Sequence, residues 1–374
     1  MLSLLVAGAM QTALVIPNPH VLVFSKTTGF RHDNIETAVA AIKKLGAEHG
    51  FQVDATEDSK AFTDENLKQY DLICFASTTG TILDDAQRNA MERFVESGKG
   101  WMGIHSAADT EYDWPWYAEL VGAYFKSHPA GGQHVKVQIE NRGNPSTIGL
   151  PNLWIRPDEW YDWRANPRGK VQVLASLDES FYRPENPQDH PIAWCHWQGK
   201  GRSWYTEMGH YKEAYSDSIY LSHLYGGLIW AAQGSRRPDG AVDYTPKHTP
   251  YGDCYFHAEF KVSKGGHTAI GFGGDNSMAI GDSTGVDWNH LKPSDCGGVN
   301  SSRPTINAFA GVGNWNVVDV LYSPTTHRFV EVQLNGVVVQ TNVKVEGMGE
   351  PTGPTSFGED RTTYRNVWVK KLGK

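Results

Sequence analysis

From residue 20 to about residue 233 the apolar positions come in two alternating forms. Solid runs such as Val21-Leu22-Val23-Phe24, Leu72-Ile73-Cys74-Phe75 and Trp101-Met102-Gly103-Ile104 have no polar face. That is the pattern of strands buried on both sides. Between them lie segments with helical periodicity. Asn34–His49 places Ile35, Val39, Ile42 and Leu45 on one face, and Gly50 stops it. Asp84–Ser97 is a second such segment, with Asp84 or Asp85 able to cap it and Gly98-Lys99-Gly100 after it. Further strands are predicted at Phe51–Ala55, Val135–Ile139, Val171–Leu177, Pro191–Trp197 and Ser203–Met208, with a last helix over Ser216–Ala232. The expected fold is α/β, a doubly wound, mostly parallel sheet covered on both faces.

Past the polar stretch Gln233-Gly234-Ser235-Arg236-Arg237-Pro238-Asp239-Gly240 the period changes to two. Runs such as His257–Val262, Val317–Tyr322, Phe329–Leu334 and Tyr364–Val369 alternate, and Asn335-Gly336 between two of them signals a tight hairpin. This predicts an all-β sandwich. The expected organisation is residues 1–18 as a signal remnant or disordered segment, 19–233 as the α/β domain, 234–249 as linker and 250–374 as the sandwich.

Composition narrows the partners. The net charge is −8 and no Lys/Arg cluster occurs, which argues against nucleic acid. No segment is long and apolar enough to insert in a membrane. The first thirteen residues are apolar and small like the end of a signal peptide, without its basic start. The expected location is therefore periplasmic or secreted, otherwise cytoplasmic. Cys74 and Cys195 lie in strand-like runs, whereas Cys254 and Cys296 can pair if the protein is exported. The strand–turn–helix junctions lack phosphate-cradling glycine patterns, so no nucleotide cofactor is expected. Oligomeric state is not encoded in any of these features.

The candidate chemistry starts at Gly103-Ile104-His105-Ser106-Ala107-Ala108-Asp109. A strand ends on His105 and small residues turn into a helix-like segment, a bend that presents one side chain at the carboxyl edge of a sheet. His32, His128 and His210 fall in other loops expected at that edge. Four such imidazoles (His32, His105, His128, His210) can hold zinc or a similar divalent ion. Alternatively His105 and His210, assisted by Asp109 or Glu159, form a metal-free acid/base set. The chain has 13 Trp and 16 Tyr, and several lie beside acids, as in Asp158-Glu159-Trp160-Tyr161-Asp162-Trp163 and Glu111-Tyr112-Asp113-Trp114-Pro115-Trp116. Trp114, Trp116, Trp160, Tyr161 and Trp163 are candidate sugar-stacking faces, with Asp158 and Arg31 as hydrogen-bonding partners for hydroxyls.

Taken together, Gly29-Phe30-Arg31-His32, the His105 segment, Ser127-His128-Pro129, Asp158-Glu159-Trp160-Tyr161, His190-Pro191-Ile192-Ala193-Trp194 and Gly209-His210 resemble the trehalose-utilisation (ThuA-like) family, over roughly residues 20–233. That family is a branch of the class I glutamine amidotransferase-like fold. The resemblance implies that His105 stands where amidotransferases carry their cysteine, and that His210 resembles its partner. Cys296-Gly297-Gly298-Val299, Gly313-Asn314-Trp315-Asn316, Leu334-Asn335-Gly336 and Tyr364-Arg365-Asn366-Val367-Trp368-Val369 resemble the 3-keto-disaccharide hydrolase family, with a concanavalin-like sandwich, over roughly residues 250–374. This copy departs from that family where Ser277–Asp282 and Ser356–Asp360 replace its usual glutamate and Gln/His stretches.

The two resemblances imply a carbohydrate-processing enzyme on glycosides, with 3-keto-glucosides as the expected substrate and elimination or hydrolysis as the reaction. Two other readings stay open: a non-catalytic carbohydrate-binding protein, and a conventional glycoside hydrolase drawing two carboxylates from Asp158, Glu159 and Glu207.

Overall fold

The computed structural model describes residues 18–141, 144–183, 185, 187–233, 241–244, 251–344 and 353–372. The expected signal remnant lies outside them, apart from Asn18. Two compact units divide between Arg236 and Arg237.

The first unit is a nine-stranded sheet. Its strands are β1 (His20–Phe24), β2 (Gln52–Thr56), β3 (Leu72–Ala76), β4 (Gly100–Ile104), β6 (Gln133–Ile139), β7 (Trp154–Asp158), β9 (Gln172–Leu177), β10 (His190–Gln198) and β11 (Gly201–Thr206), in the order β2-β1-β3-β4-β11-β10-β9-β6-β7. The short strands β5 (Phe125–Ser127) and β8 (Asp162–Trp163) pair with each other beside it. The pairings from β2 to β11 are parallel and those from β11 to β7 antiparallel. The sheet is thus mixed rather than mostly parallel. The reason lies in the connections: a parallel crossover needs a helix-length return, whereas Gly199-Lys200 between β10 and β11 is a two-residue hairpin.

Alternate residues of each parallel strand serve opposite faces. Val21, Val23, Cys74, Met102 and Ile104 pack with α1 (Ile35–His49) and α4 (Ser218–Gln233). Leu22, Phe24, Ile73, Phe75 and Trp101 pack with α2 (Asp85–Glu96) and α3 (Pro115–Val121). A capping box between Asp84 and Gln87 starts α2, and Gly50 ends α1 at a φ of +77°. Helix α4 lies close on the sheet because it carries Gly227, where a Cβ would run into the Trp204 ring.

The second unit is an antiparallel sandwich. One sheet runs β12 (Val242–Asp243), β20 (Thr362–Lys371), β13 (Cys254–Val262), β16 (Trp315–Ser323), β17 (Arg328–Leu334), β18 (Val337–Lys344). The other runs β15 (Ser277–Gly281), β14 (His267–Gly271), β19 (Ser356–Phe357). Strand β12 pairs with β20 and Tyr244 joins the core, so residues expected in the linker already belong to the sandwich. The remainder of that linker, 234–240 and 245–249, lies outside the described residues. The Asn335-Gly336 hairpin forms as expected, with φ of +54° and +79° joining Leu334 to its partner Val337. Cys254 and Cys296 are both buried free thiols, so the pairing left open for an exported protein is not formed.

Candidate metal centre at the strand edge

His105 follows β4 directly, at a φ of +52° and with no exposed surface. The strained turn expected from the sequence is present, but it leads into a single 3-10 turn, His105–Asp109, and holds its side chain inward rather than out into an open pocket. The Nδ1 of His105 lies 2.8 Å from the backbone carbonyl of Glu207. A carbonyl only accepts, so Nδ1 carries the proton and Nε2 keeps its lone pair in the neutral ring. Around Nε2 stand the Tyr161 hydroxyl at 2.9 Å, His210 Nδ1 at 3.1 Å and Glu159 Oε2 at 3.4 Å.

His210 is brought here by the turn after β11. Asp158, at the end of β7, holds that turn: its carboxylate accepts the backbone N–H groups of Gly209 and His210 at 2.9 and 3.0 Å and Nη2 of Arg156 at 2.9 Å. Glu159, the next residue, then reaches His210 Nδ1 at 3.3 Å. His32 comes from the loop after β1, which Asn34 ties to the carbonyl of Gly209. Its Nδ1 is 3.2 Å from the Ser106 hydroxyl.

His32, His105, Glu159 and His210 each offer one ligand atom, all within 4.8 Å of one another. The donor set tests well against a small divalent ion. Bonds of about 2.0–2.1 Å in a tetrahedron put neighbouring donors roughly 3.4 Å apart. The three edges among His105, Glu159 and His210 are 3.1, 3.4 and 3.3 Å. Electrostatics agree for His32 and Glu159. Burial pushes the His32 imidazole down to about 3, and the other two rings add to it, so it is neutral as a ligand must be. Burial raises the Glu159 carboxyl, but the facing rings of His105 and His210 outweigh this and hold it well below the usual carboxylate range. Burial lowers the His210 imidazole, yet Glu159 leaves it raised overall.

Several expected residues take other places. Of the four expected ligands, His128 is not in the set; its Nε2 meets Glu159 Oε1 from the exposed side at 3.3 Å. Glu159 supplies the fourth donor instead. Asp109 accepts from the Tyr112 hydroxyl at 2.6 Å, outside the cluster, and burial raises its carboxyl. Arg31 pairs with Glu36 and Glu57 on the surface. Trp160 is fully buried and donates to the Gln133 carbonyl. Trp114 and Trp116 donate to Glu92 and Glu96 of α2, and Trp163 to the Pro191 carbonyl. None of the four is part of the donor cluster, and the expected aromatic cleft does not form; indoles flanked by acids here anchor loops to cores. Tyr161 does reach the centre, through its hydroxyl rather than its ring face. Asp158 is structural.

Three features were missed. Ser106 holds His32, although it is one residue past the bend. Glu207 supplies its carbonyl to His105, while its side chain accepts the Tyr161 N–H and faces His190. His190 in turn meets Glu179 at 2.7 Å, and these two carboxylates hold it protonated up to about 9 despite burial. Only the pairing of distant segments reveals these contacts; Pro191 and Trp194 flanking His190 gave no signal of it.

The family model of trehalose utilisation matches residues 20–231, more than half of the chain. The protein belongs to the trehalose-utilisation, ThuA-like family. A second model, a 3-keto-alpha-glucoside-1,2-lyase-like domain, matches residues 196–370. It therefore starts inside β10 rather than near residue 250. Among solved structures, a ThuA-like protein of Bacteroides uniformis is 30% identical, with a TM-score of 0.50 over 57% of this chain and 90% of its own. One from Parabacteroides merdae is 17% identical, with a TM-score of 0.46 over 60% and 94%. No curated protein matches the sequence. Both matched families are carbohydrate-related, so the ThuA-like chain is a carbohydrate-processing protein at that level of description. Among its described residues no helix is long and apolar enough to cross a membrane.

Proposed function

We propose that this ThuA-like protein is an enzyme that cleaves glycosides oxidised to a ketone at C3, at a divalent-metal centre made by His32, His105, Glu159 and His210. The observation that carries the reading is the meeting of three donors from three separate segments at 3.1–3.4 Å, with His105 held in the tautomer that leaves Nε2 unprotonated. A ketone at C3 makes the C2 proton acidic. Removing it lets the C1–O bond break, giving a C1=C2 double bond and an alkoxide that takes a proton. Addition of water across that bond completes a net hydrolysis. A divalent ion such as zinc would supply a Lewis acid for the ketone oxygen. In this reading His128, the imidazole on the exposed side of Glu159, carries the C2 proton. Tyr161 keeps its proton, because burial raises its phenol well above the ordinary value, and it can donate to an oxygen near His105.

Thiolate amidotransferase chemistry has no support, since the elbow residue is histidine and burial raises the thiols of Cys74 and Cys195. The two-carboxylate reading loses its pair, because Asp158 and Glu207 are both fully buried. The test is elemental analysis of the purified protein together with turnover of 3-oxidised and native disaccharides. His105→Ala should lose both the metal and the turnover. Full turnover by that variant would remove the proposal.

A further inference from the structure

We propose that Phe30 is the sugar-stacking platform of this centre, the face on which the CH side of a pyranose rests; this depends on the functional reading above. Phe30 is the most exposed large apolar side chain among the described residues, at 68%. Exposed apolar rings beside a polar site need an explanation that scattered surface leucines do not. This ring is not on a loose loop. Its carbonyl accepts the Thr79 hydroxyl at 2.8 Å, and the neighbouring Thr28 N–H donates to the Thr79 carbonyl at 2.9 Å. Gly29 lets the two loops touch, since a Cβ there would stand 3.2 Å from the Thr79 hydroxyl.

The ring is also tied to the donor cluster. It packs at 82° against His32, with centroids 4.9 Å apart. Tyr211 packs at 89° against His210, at 4.8 Å. Asp33 and Lys212 join the two loops through an ion pair at 2.9 Å. His128 stands exposed beyond Glu159. The surroundings of the cluster thus combine one exposed apolar disc with imidazole, phenol, carboxylate and ammonium groups. A pyranose has the matching chemistry, one face of C–H bonds and an edge of hydroxyls. The indoles expected to do this work are committed to the protein interior or to α2, which leaves Phe30 as the most exposed aromatic ring beside the cluster among the described residues.

The experiment compares Phe30→Ala, Phe30→Trp and, as a control on an exposed ring in the other unit, Trp288→Ala. Full-length protein is assayed for KM and kcat on a 3-oxidised disaccharide, for Kd of the unoxidised parent by calorimetry, and for metal content. Loss of one aromatic contact should raise KM and Kd roughly three- to tenfold. kcat should stay within about twofold, because stacking away from the reacting carbons is felt equally in ground and transition states. Phe30→Trp should restore binding, and Trp288→Ala and the metal content should not change. Phe30→Ala binding as tightly as wild type overturns the proposal, as does a fall in kcat or metal content with KM unmoved. If wild type turns over no 3-keto-glycoside, the functional reading fails while the calorimetric arm still reads Phe30. Wild type that binds no sugar overturns both.

Discussion

Replacing Asp158 by Asn tests how the ThuA-like centre is held together. The carboxylate is fully buried and takes four donors: Gly209 N at 2.9 Å, His210 N at 3.0 Å, Glu159 N at 3.1 Å and Arg156 Nη2 at 2.9 Å. An amide keeps the shape but turns two of its own N–H groups toward these donors and leaves the Arg156 charge in the interior. The nearest other acid, Asp217, is 4.0 Å from Arg156. Removing one member of a buried pair costs about 3–5 kcal/mol. For a unit spanning Pro17–Arg236 this corresponds to a fall in Tm of about 6–20 °C. Because the same carboxylate sets the His210 turn and precedes Glu159, metal content should fall with stability.

Calorimetry and elemental analysis of the same samples read both effects. Adding Arg156→Met to the Asp158→Asn variant removes the stranded charge, so the double variant should be more stable than the single one. A Tm shift below about 2 °C, with metal content unchanged, would show that the clamp described here is not what positions His210.

Three further outcomes are expected. His190 titrates at about 9 in the folded protein against 6.5 when unfolded: burial opposes its charge, but Glu207 and Glu179 outweigh this. The stabilisation is therefore complete below about pH 6.5 and fades as pH rises through about 9, and His190→Gln should flatten the dependence of the urea midpoint on pH over that window. Gly227→Ala should cost roughly 1–3 kcal/mol, read from denaturant midpoints, because the added methyl meets a fully buried indole; an unchanged midpoint would mean that α4 shifts freely on the sheet. A thiol reagent should find none of the four buried cysteines in the native protein and all four after denaturation.

The elements whose signal is local were legible. The first strand was expected over the run Val21–Phe24 and is His20–Phe24, and the helices expected at Asn34–His49 and Asp84–Ser97 are Ile35–His49 and Asp85–Glu96. Strand direction was less so, although the run of strands without helices from Val135 to Met208 already argues against parallel pairing. The centre was read in part. His32, His105 and His210 lie at strand-end turns, a signal that sequence carries. Glu159 was named as an acid/base helper, and only the pairing of β7 with β6 and the clamp on Gly209 bring it to the imidazoles. The indoles misled because an acid beside a Trp looks the same whether the ring lines a cleft or anchors a loop. Phe30 went unread for the opposite reason: a single Phe in a loop predicts burial.

The bend at His105 fixes which atom of the ring is left to react. A buried non-glycine residue at positive φ costs about 1–3 kcal/mol and persists only where its surroundings over-determine it. Here the Tyr205 hydroxyl donates to the His105 carbonyl at 2.7 Å, and the ring itself donates to the Glu207 carbonyl at 2.8 Å. A cysteine at this position would have no second polar atom to give to the backbone, and its thiol would stay free to react. The imidazole gives up one nitrogen to the backbone and is left with a single lone pair, aimed at His210, Tyr161 and Glu159. A strained strand-end turn of the kind that can present a nucleophile here fixes an imidazole nitrogen. The residue type at the turn, and the carbonyl that takes its second nitrogen, decide which.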